Sequence, residues 1–577
     1  MNDETISRMG TLAALRALGP PKLAVVGRSG FSDAEIDAAA EGRFRVYTSM
    51  VELEPPIDWL LDPAGNRSFR FQLHSLQFLG VLYRRYERLA DRAALRKAVE
   101  IGLDWARQNP LGGDGLSELA WYDMGVGLRA PYLAYGLRAA AAEELMDEDE
   151  AGEMLDSLRE HGEFLADDEN YAFGHNHGLF QDEGLLVLCV KLDGVLPEVA
   201  RWREVATRRA RATIEATVSA DDAVHLEHSP GYHFAMTDLI NRLVERGRVQ
   251  DPELVRLRQR MIETAGWLIL PDGMLAQIGD TNHVRAPQWS LEAGERALGT
   301  VAFRHGGYAV ARRRESALVM TAGYYSAAHK QADELSFVLY DRGRLVLGDA
   351  GIWSYDEDDP YRSYARSSWA HNALIVDGES FDWRGQEPYG SGILAAGEGE
   401  GWHGLLGRNP LLAPRGLTHN RLVLWRPGVG AIVLDRVESH TEHGYTRLFH
   451  LGPGMEVDRF AGTLLLEAPG FSGELRDWSE VLVDTEIVHG RGLPDPLGWT
   501  FPTDQEREPV WVVAMTARAR SAVLVSVLSL DAATPLRVAG AGFSPADASV
   551  RLLHGDDART VRVAIGERSL SIEEAAW

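Results

Sequence analysis

The sequence has one cysteine, few basic residues and no long hydrophobic run, and each scarcity excludes a class of protein. Cys189 alone forms neither an internal disulfide nor a thiolate cluster, so any metal must use His, carboxylate or amide ligands. No apolar run approaches the ~20 residues that span a bilayer. The start, MNDETISRMG, shows no secretory signal. We therefore expect a cytoplasmic protein without a membrane partner.

The charge balance is acidic, with 59 Lys and Arg residues against 85 Asp and Glu residues and a net charge of −26. This balance argues against a nucleic-acid partner, which would need a broad basic surface. The composition, 45% hydrophobic and 25% charged, is that of a folded chain with a large core. Because domains mostly run ~100 to 200 residues, 577 residues predict at least two domains.

The chain changes its hydrophobic period near Pro271. Before it, apolar residues recur at helical spacing, and Ser32 with Glu35 predicts a capping box at the first helix. The further predicted helices are His74–Leu89, Ala93–Arg107, Gly125–Glu144, Ala151–Ala166, Leu179–Leu192, Glu198–Thr217, Phe234–Glu245 and Pro252–Leu270. Short connections indicate stacked helix pairs, closing into an (α/α) toroid or remaining an open solenoid; the lack of a fixed repeat weakens the solenoid.

After the change, period-two and β-branched runs predict strands separated by Gly- and Pro-containing turns. These runs are Tyr308–Arg312, Ala317–Ala322, Leu335–Tyr340, Arg344–Leu347, Ala373–Val376, Leu422–Trp425, Ala431–Leu434, Val481–Thr485, Val510–Thr516 and Ala522–Leu528. The fold class is therefore α+β multidomain, with a helical domain at 1–285 followed by an antiparallel β-sandwich at 286–577. We expect the tail beyond Pro535 to complete the sandwich.

Two polar clusters lie in the helical half, each at the start of a predicted helix. In Gly174–Gly178, glycines flank Asn176 and His177 and permit close approach of a large ligand. In Glu227–His233, Pro and Gly form a rigid turn that holds Tyr232. Each cluster also has a structural interpretation: exposed histidines beside a helix cap, and a tyrosine covering the core.

A third cluster precedes a predicted strand, where His329 and Gln331 face the same side of an extended chain. Asp349 and His371 are candidates to ligate a divalent metal together with a side chain of this loop. Gln331 would be an unusual ligand, because a neutral amide oxygen binds zinc more weakly than imidazole does. A hydrogen-bonded Gln, Asp and His network without metal is the alternative.

Taken together, these motifs resemble the heparinase II/III-like polysaccharide lyases, which include alginate and heparan sulfate lyases. The resemblance covers residues 121–453 and rests on these motifs in order: Trp121-Tyr122-Asp123-Met124 with Arg129, Asn176-His177-Gly178, Ser229-Pro230-Gly231-Tyr232-His233, Gly279-Asp280, His329 with Ala332-Asp333-Glu334-Leu335-Ser336-Phe337, Gly348-Asp349-Ala350-Gly351, Ala370-His371-Asn372, and Phe449-His450-Leu451-Gly452-Pro453. It implies an (α/α) toroid followed by an antiparallel β-sandwich, with the active site in a cleft between them.

The resemblance also implies a chemistry, β-elimination on a uronate-containing polysaccharide that leaves a C4–C5 unsaturated uronate end. Asn176 and His177 would bind the substrate carboxylate, and Tyr232 would protonate the leaving O4. The base would be Tyr232 in syn elimination or His329 in anti elimination. Six further residues are candidate substrate contacts: Tyr122, Arg129, His233, Tyr355, Tyr361 and Arg366.

Two positions depart from the family pattern. Gln331 stands where the family usually has a second histidine, a zinc ligand in several members, so zinc held by Asp349, His371 and Gln331 is the weaker part of the prediction. Tyr122 stands where a histidine is frequent, which bears on substrate contact at that position.

Two other functions compete with the lyase. An inverting glycoside hydrolase would need two carboxylates facing one sugar, for which Asp123, Asp182 and Glu227 are candidates. A catalytically silent polysaccharide-binding protein is favoured by Gln331 and by the missing secretory signal. In each case the partner is an acidic poly- or oligosaccharide, and the sequence leaves open which uronate polymer it is, whether cleavage is endolytic, and the oligomeric state.

Overall fold

The computed structural model describes residues 10–19, 21, 31–63, 65–245, 251–460 and 462–576. Residues 1–9, which open the segment used to predict the absence of a secretory signal, lie outside this range. The chain divides into two compact units. The first comprises residues 1–217 and 239–254, and the second comprises residues 218–238 and 255–577.

The first unit is built almost entirely from helices. They are α1 (Thr11–Ala17), α2 (Asp33–Ala40), α3 (Arg67–His74), α4 (Leu79–Leu89), α5 (Arg92–Gln108), α6 (Asp123–Ala142), α7 (Glu148–Ala166), α8 (Asn176–Leu192) and α9 (Val199–Thr217), with a hairpin of β1 (Arg43–Val46) and β2 (Ser49–Glu52). A capping box of Ser32 and Glu35 opens α2, as predicted.

Helices α6 and α8 form the centre of the first unit because both are apolar on nearly all sides. Most of their residues are buried, which is the pattern of a helix surrounded by others. Gly127 and Gly184 allow the two helices to touch: a Cβ on Gly184 would lie 2.2 Å from the Gly127 carbonyl oxygen. Since α8 begins at Asn176, this contact fixes the helix that carries the Asn-His motif.

The second unit contains the remaining helices and nearly all strands. Its helices are α10 (Pro230–Glu245) and α11 (Pro252–Trp267), both of which extend into the first unit, and α12 (Gln288–Arg296) and α13 (Pro360–Ala365). A five-stranded antiparallel sheet contains β3 (Gly299–Phe303), β4 (Tyr308–Arg312), β5 (Ala317–Thr321), β7 (Phe337–Asp341) and β8 (Arg344–Leu347) in that order. Two pairs of short strands stand apart: β6 (Gly323–Tyr324) with β10 (Gly390–Ser391), and β19 (Trp499–Thr500) with β20 (Glu508–Pro509).

A ten-stranded antiparallel sheet is the largest element. Its strands are β9 (Leu374–Val376), β11 (Ile393–Gly399), β12 (Trp402–Arg408), β13 (Thr418–Arg426), β14 (Gly430–His450), β15 (Glu456–Phe460), β16 (Thr463–Ala468), β17 (Phe471–Asp477), β18 (Val483–His489) and β21 (Trp511–Ser529). The order is β11-β12-β13-β14-β21-β17-β16-β15, with β9 paired to β14 and β18 to β21. The last four strands form a separate sheet: β22 (Leu536–Phe543), β23 (Asp547–His554), β24 (Asp557–Ile565) and β25 (Leu570–Ala576).

Three apolar cores hold these layers together. The first lies between the five-stranded and ten-stranded sheets and includes Phe337, Trp425 and Phe449. The second lies between the ten-stranded sheet and the C-terminal sheet and includes Trp402 and Val550. The third packs residues of the helical segments against the five-stranded sheet. It includes Phe234, Ala265, Leu268, Ile269, Val310, Val319 and Val338. The antiparallel sandwich is therefore confirmed, with helices on one side and an additional sheet on the other.

The predicted elements agree with the structure apart from a few local differences. The predicted helix His74–Leu89 begins only at Leu79, and a separate helix, α3, ends at His74, because Leu76 between them adopts a left-handed conformation with φ 52°. The last two predicted strands are one continuous strand, β21. The predicted boundary at 285/286 lies near the change in secondary structure, but residues 218–238 and 255–296 already belong to the second unit because they pack on its sheet. Among the described residues, no helix combines the length and hydropathy that crossing a bilayer requires.

A buried ion pair joins strands β13 and β14. Arg421 donates from Nε and Nη2 to the two carboxylate oxygens of Asp435, at 2.7 and 3.0 Å, and His419 contacts Oδ1 at 2.7 Å. Burial alone would raise the pKa of Asp435, but Arg421 and His419 hold it well below its ordinary value. A depressed carboxylate pKa contributes stability above the unfolded-state pKa of ~3.9, and this stability is lost as the pH falls below it.

We therefore expect Asp435→Asn to lower the free energy of unfolding at neutral pH by about 3 to 5 kcal/mol, because it leaves Arg421 buried without a charge partner. Urea unfolding followed by circular dichroism at several pH values measures the loss. The difference in the free energy of unfolding between variant and wild type should shrink below pH ~4, where the stabilisation by the ionised Asp435 carboxylate is progressively lost. The control is Asp458→Asn on an exposed face of β15, expected to change stability by less than ~0.5 kcal/mol. Equal effects of the two variants would contradict this account.

Candidate active site

Tyr232, His329 and Tyr355 form a compact cluster in the second unit. Tyr232 lies in the first turn of α10, and its ring stacks on the His329 imidazole with ring centroids 3.7 Å apart. The hydroxyls of Tyr232 and Tyr355 are hydrogen-bonded at 2.6 Å. Tyr355 is 48% exposed, so this group of polar side chains is accessible to a ligand.

The turn before α10 is fixed by three hydrogen bonds. The Ser229 hydroxyl accepts from the Tyr232 backbone N–H at 3.2 Å and donates to the Asp280 carbonyl at 3.3 Å. The Gly231 N–H donates to the Thr281 hydroxyl at 3.0 Å. The Ser-Pro-Gly-Tyr sequence therefore presents Tyr232 on a rigid helix start, as the sequence predicts.

Asp280 lies below this cluster in a buried charge network. Its carboxylate accepts from Arg362 at 2.9 and 3.2 Å and from the Gln331 amide nitrogen at 2.6 Å. The Arg362 guanidinium also lies 5.4 Å from the Tyr355 ring centre. Desolvation, together with Tyr355 and the negative charges of Asp280 and Glu227, raises the pKa of Tyr232 well above its ordinary value. Tyr232 therefore keeps its hydroxyl proton at neutral pH.

Glu227 contacts the other member of the stacked pair. Its Oε2 lies 2.9 Å from His329 Nδ1, and the Glu227 side chain is 5% exposed. His329 has a left-handed backbone, with φ 55°. A carboxylate, an imidazole and two phenols are thus in contact, which is an arrangement suited to moving protons.

A second polar cluster lies in the first unit, at the start of α8. His177 Nδ1 is 3.2 Å from Asp123 Oδ2, and the His177 ring lies 4.3 Å from that of His175 and 5.9 Å from that of Tyr122. Although burial raises the pKa of Asp123, His177 outweighs it and keeps that pKa below its ordinary value. Asn176 is the first residue of α8 and is buried. The predicted residues Tyr122 and His177 therefore lie side by side at the starts of α6 and α8, with Asn176 next to His177 in the sequence.

Both halves of the chain match models of a known protein family. The model described as "Heparinase II/III N-terminus" matches residues 32–289. The model described as "Heparinase II/III-like, C-terminal" matches residues 295–541. The chain belongs to the heparinase II/III-like family. Among curated relatives of this family, a heparin-sulfate lyase of Pedobacter heparinus is 23% identical over 366 residues, covering 56% of this chain and 54% of that protein. The chain thus aligns with about half the length of this relative.

Solved structures of heparinases have the same fold. The crystal structure of heparinase III superposes with a TM-score of 0.80 at 16% identity, covering 96% of this chain and 95% of that one. The structure of a mutant of the heparan sulfate lyase HepC from Pedobacter heparinus gives a TM-score of 0.70 at 18% identity, covering 97% and 93%. These similarities confirm the predicted helical region followed by an antiparallel β domain.

The position where the heparinase resemblance implies zinc has an incomplete set of donors. His371 Nδ1 is hydrogen-bonded to Asp349 Oδ2 at 2.8 Å, and the Asp349 Oδ1 accepts from the Gly351 N–H at 3.1 Å. The third residue, Gln331, offers only a neutral amide oxygen, and its nitrogen is bound to Asp280. Within the part of the chain that the structure describes, no three His, Cys, Asp or Glu side chains are grouped to hold a metal. These donors fit zinc poorly, and we assign no reaction step to a metal.

Three predicted substrate contacts are corrected, because the side chains are buried in cores. Arg129 is 0% exposed and donates to His161 at 2.8 Å and to the His74 carbonyl at 2.7 Å. His233 is also 0% exposed and contacts the Met261 carbonyl at 3.0 Å. Tyr361 is 7% exposed and packs on Trp353 and Phe501. Their surroundings indicate that they stabilise the fold.

Arg366 is also less available than expected, since its side chain is 10% exposed, paired with Glu357 and 5.0 Å from the Trp383 ring centre. Two residues that contact the cluster were missed as lyase residues. Glu227 was considered only as a hydrolase carboxylate, although its place in the Glu227–His233 turn was a signal. No sequence signal distinguishes Arg362 from its neighbours Tyr361 and Arg366.

We expect the wild-type protein to bind zinc at less than stoichiometric levels and Gln331→His to bind it stoichiometrically, because imidazole would complete the set with Asp349 and His371. Metal analysis after dialysis against zinc, combined with the thermal unfolding temperature with and without chelator, measures both. The control is Gln331→His with His371→Ala, which should lose the bound zinc. Stoichiometric, chelator-sensitive zinc in the wild type would show that the amide oxygen suffices.

Proposed function

We propose that this chain is a polysaccharide lyase that cleaves a uronate-containing glycosaminoglycan by β-elimination. The observation that carries the proposal is the contact of the proton donor Tyr232 with the imidazole of His329, 3.7 Å apart in an accessible cluster. Family membership supports it, and the relative named as a heparin-sulfate lyase makes heparan sulfate the first polymer to test.

The first difficulty of the reaction is the weak acidity of the C5 proton, which lies beside a negatively charged carboxylate. Hydrogen bonds to that carboxylate stabilise the enolate-like dianion formed when the proton leaves. We assign this task to Asn176 and His177 at the start of α8, where Asp123 contacts His177 and orients its ring.

The second part of the reaction is the movement of two protons. Because the rings of His329 and Tyr232 are stacked, both reach the same face of the sugar, so the elimination by this pair is syn. His329 takes the C5 proton, the C–H electron pair forms the C4–C5 double bond, and the C4–O4 bond breaks. Tyr232 then gives its hydroxyl proton to the departing O4. A tyrosine hydroxyl is protonated at neutral pH and so has a proton to give, and imidazole is the side chain whose protonation suits a base at neutral pH. Tyr355, bonded to the Tyr232 hydroxyl, is placed to relay the replacement proton.

The competing hydrolase receives less support from these side chains. Asp182 is buried and accepts from the Tyr171 hydroxyl at 2.7 Å, and Glu227 is engaged with His329. Asp123 is bound to His177. None of these carboxylates stands alone as an acid or a base for a sugar.

The cytoplasmic location stays a prediction, which cell fractionation tests.

We expect the wild type to release unsaturated product from heparan sulfate and Tyr232→Phe to lose at least about 100-fold in kcat, because the leaving oxygen then departs without a proton. The ultraviolet absorbance of the C4–C5 double bond follows the reaction, with hyaluronan, chondroitin, alginate and glucuronan as parallel substrates. The control, Tyr340→Phe in strand β7, should keep full activity. New sugar ends without absorbance would indicate hydrolysis, and binding without any cleavage would indicate a silent binder.

We further expect Asn176→Ala to lower kcat by about 100-fold on the charged polymer, the typical cost of removing one donor to a developing oxyanion. On the methyl-esterified polymer the loss should fall to about tenfold or less, because esterification already masks the carboxylate charge. The same absorbance assay measures both. Asn170→Ala, a nearby amide outside α8, is the matched control. An equal loss on both substrates would contradict the assigned role.

A further inference from the structure

Glu227 and His329 form a buried contact, and Glu227 takes no part in the proton transfers of the proposed reaction. We infer that Glu227 is a positioning residue: it holds the His329 ring in the tautomer and orientation of a base and stabilises the charge that the ring gains. The inference rests on the proposed function, because it assigns a partner to the base of that reaction. It concerns only residues of the second unit.

Burial makes the Glu227 carboxylate dependent on its partners. Glu227 is 4% exposed, and a carboxylate removed from water is costly unless it is hydrogen-bonded to donors. His329 Nδ1 lies 2.9 Å from its Oε2. The other nearby imidazole, His225, has Nε2 3.9 Å from Oε1, which is beyond hydrogen-bond distance. Burial lowers the pKa of His225 even with Glu227 nearby, so His225 is neutral and supplies no positive charge.

This contact decides which ring nitrogen of His329 carries the proton. An ionised carboxylate only accepts hydrogen bonds, so the Nδ1 facing it must be the N–H donor. In a neutral imidazole the other nitrogen, Nε2, then carries the lone pair. The carboxylate therefore leaves Nε2 as the basic atom. Without the carboxylate, the ring would populate two tautomers, and in one of them the lone pair would lie on Nδ1 instead of Nε2.

The orientation of the ring has two independent constraints. The face of the imidazole lies on Tyr232, and its Nδ1 edge is held by Glu227. Glu227 and Tyr232 belong to one short segment, which the hydrogen bonds of Ser229 and Gly231 attach to the loop at Asp280 and Thr281. A single rigid segment thus sets the position of the acid directly and of the base through the side chain of Glu227.

The same carboxylate acts during the chemical step. When Nε2 takes the C5 proton, the ring becomes a cation 2.9 Å from a buried anion, where their attraction is much stronger than in water. The proton has moved from carbon to Nε2, its electron pair has entered the C4–C5 bond, and Glu227 stays ionised throughout. This is the division of work seen wherever a carboxylate orients an imidazole that acts as a base.

The test compares Glu227→Gln in two backgrounds, with heparan sulfate as the substrate. In the wild-type background we expect kcat to fall about 100-fold while KM changes less than about twofold, because Glu227 does not touch the substrate. In a His329→Ala background the same substitution should change kcat less than about twofold, since its partner is already missing. Glu474→Gln, another buried carboxylate of the second unit, is the matched control and should leave kcat unchanged in both backgrounds. Circular dichroism and the unfolding temperature check that each variant folds.

A second measurement does not depend on activity. The ring 15N shifts of His329, assigned by their disappearance in His329→Ala, report which nitrogen is protonated. We expect Nδ1–H in the wild type and a mixture of tautomers in Glu227→Ala. The inference is overturned if Glu227→Gln lowers kcat equally in both backgrounds or if Glu227→Ala leaves the ring tautomer unchanged. Absence of unsaturated product from the wild type, with the tautomer change still present, would instead overturn the proposed function alone.

Discussion

The buried carboxylate of Asp280 is the interaction on which the candidate active site depends. It binds Arg362 and Gln331 through its side chain and receives the Ser229 hydroxyl at its backbone carbonyl, so it connects three segments that are distant in sequence. A carboxylate with this many charged and polar donors is held in one position. Its negative charge adds to desolvation, which is the larger effect, in raising the pKa of Tyr232. Asp280 thus holds the turn that carries Tyr232 through its backbone carbonyl, and it holds Arg362 and Gln331 through its side chain.

The long helices and several central strands were predictable because their pattern is local, whereas strands such as β11, β12 and β22 to β25 were not predicted. Helical spacing gave the limits of α5 to α9 within a few residues, and alternation gave strands such as Tyr308–Arg312 and Arg344–Leu347 with the bounds observed. Features that depend on contacts between distant parts of the chain were harder to predict. Leu76 separates α3 from α4 through a backbone angle that its side chain does not indicate. Residues 255–296, which include α12 and most of α11, pack on a sheet formed later in the chain.

The site was predictable at the level of motifs and less so at the level of single side chains. Tyr232 and His329, far apart in sequence, were expected to act together and are in contact. Arginines and tyrosines near them could not be ranked, because burial decides their role and depends on the whole fold. Arg129 is enclosed by aromatic rings, with its guanidinium 3.7 Å from the centre of Trp105, whereas Arg362 reaches the cluster. Gln331 was recognised as a departure, and the structure shows its amide serving the Asp280 network.

The C-terminal sheet shows that a sequence match and a folding unit need not end together. The matched family region stops at residue 541, within β22, but β23 to β25 cover an apolar face of the ten-stranded sheet that includes Leu422, Leu424 and Ile432. A chain shortened to the matched region would leave this face in water together with the unpaired edge of β22. Such surfaces associate with other chains. The last 36 residues therefore protect the sandwich from aggregation in addition to contributing to its core.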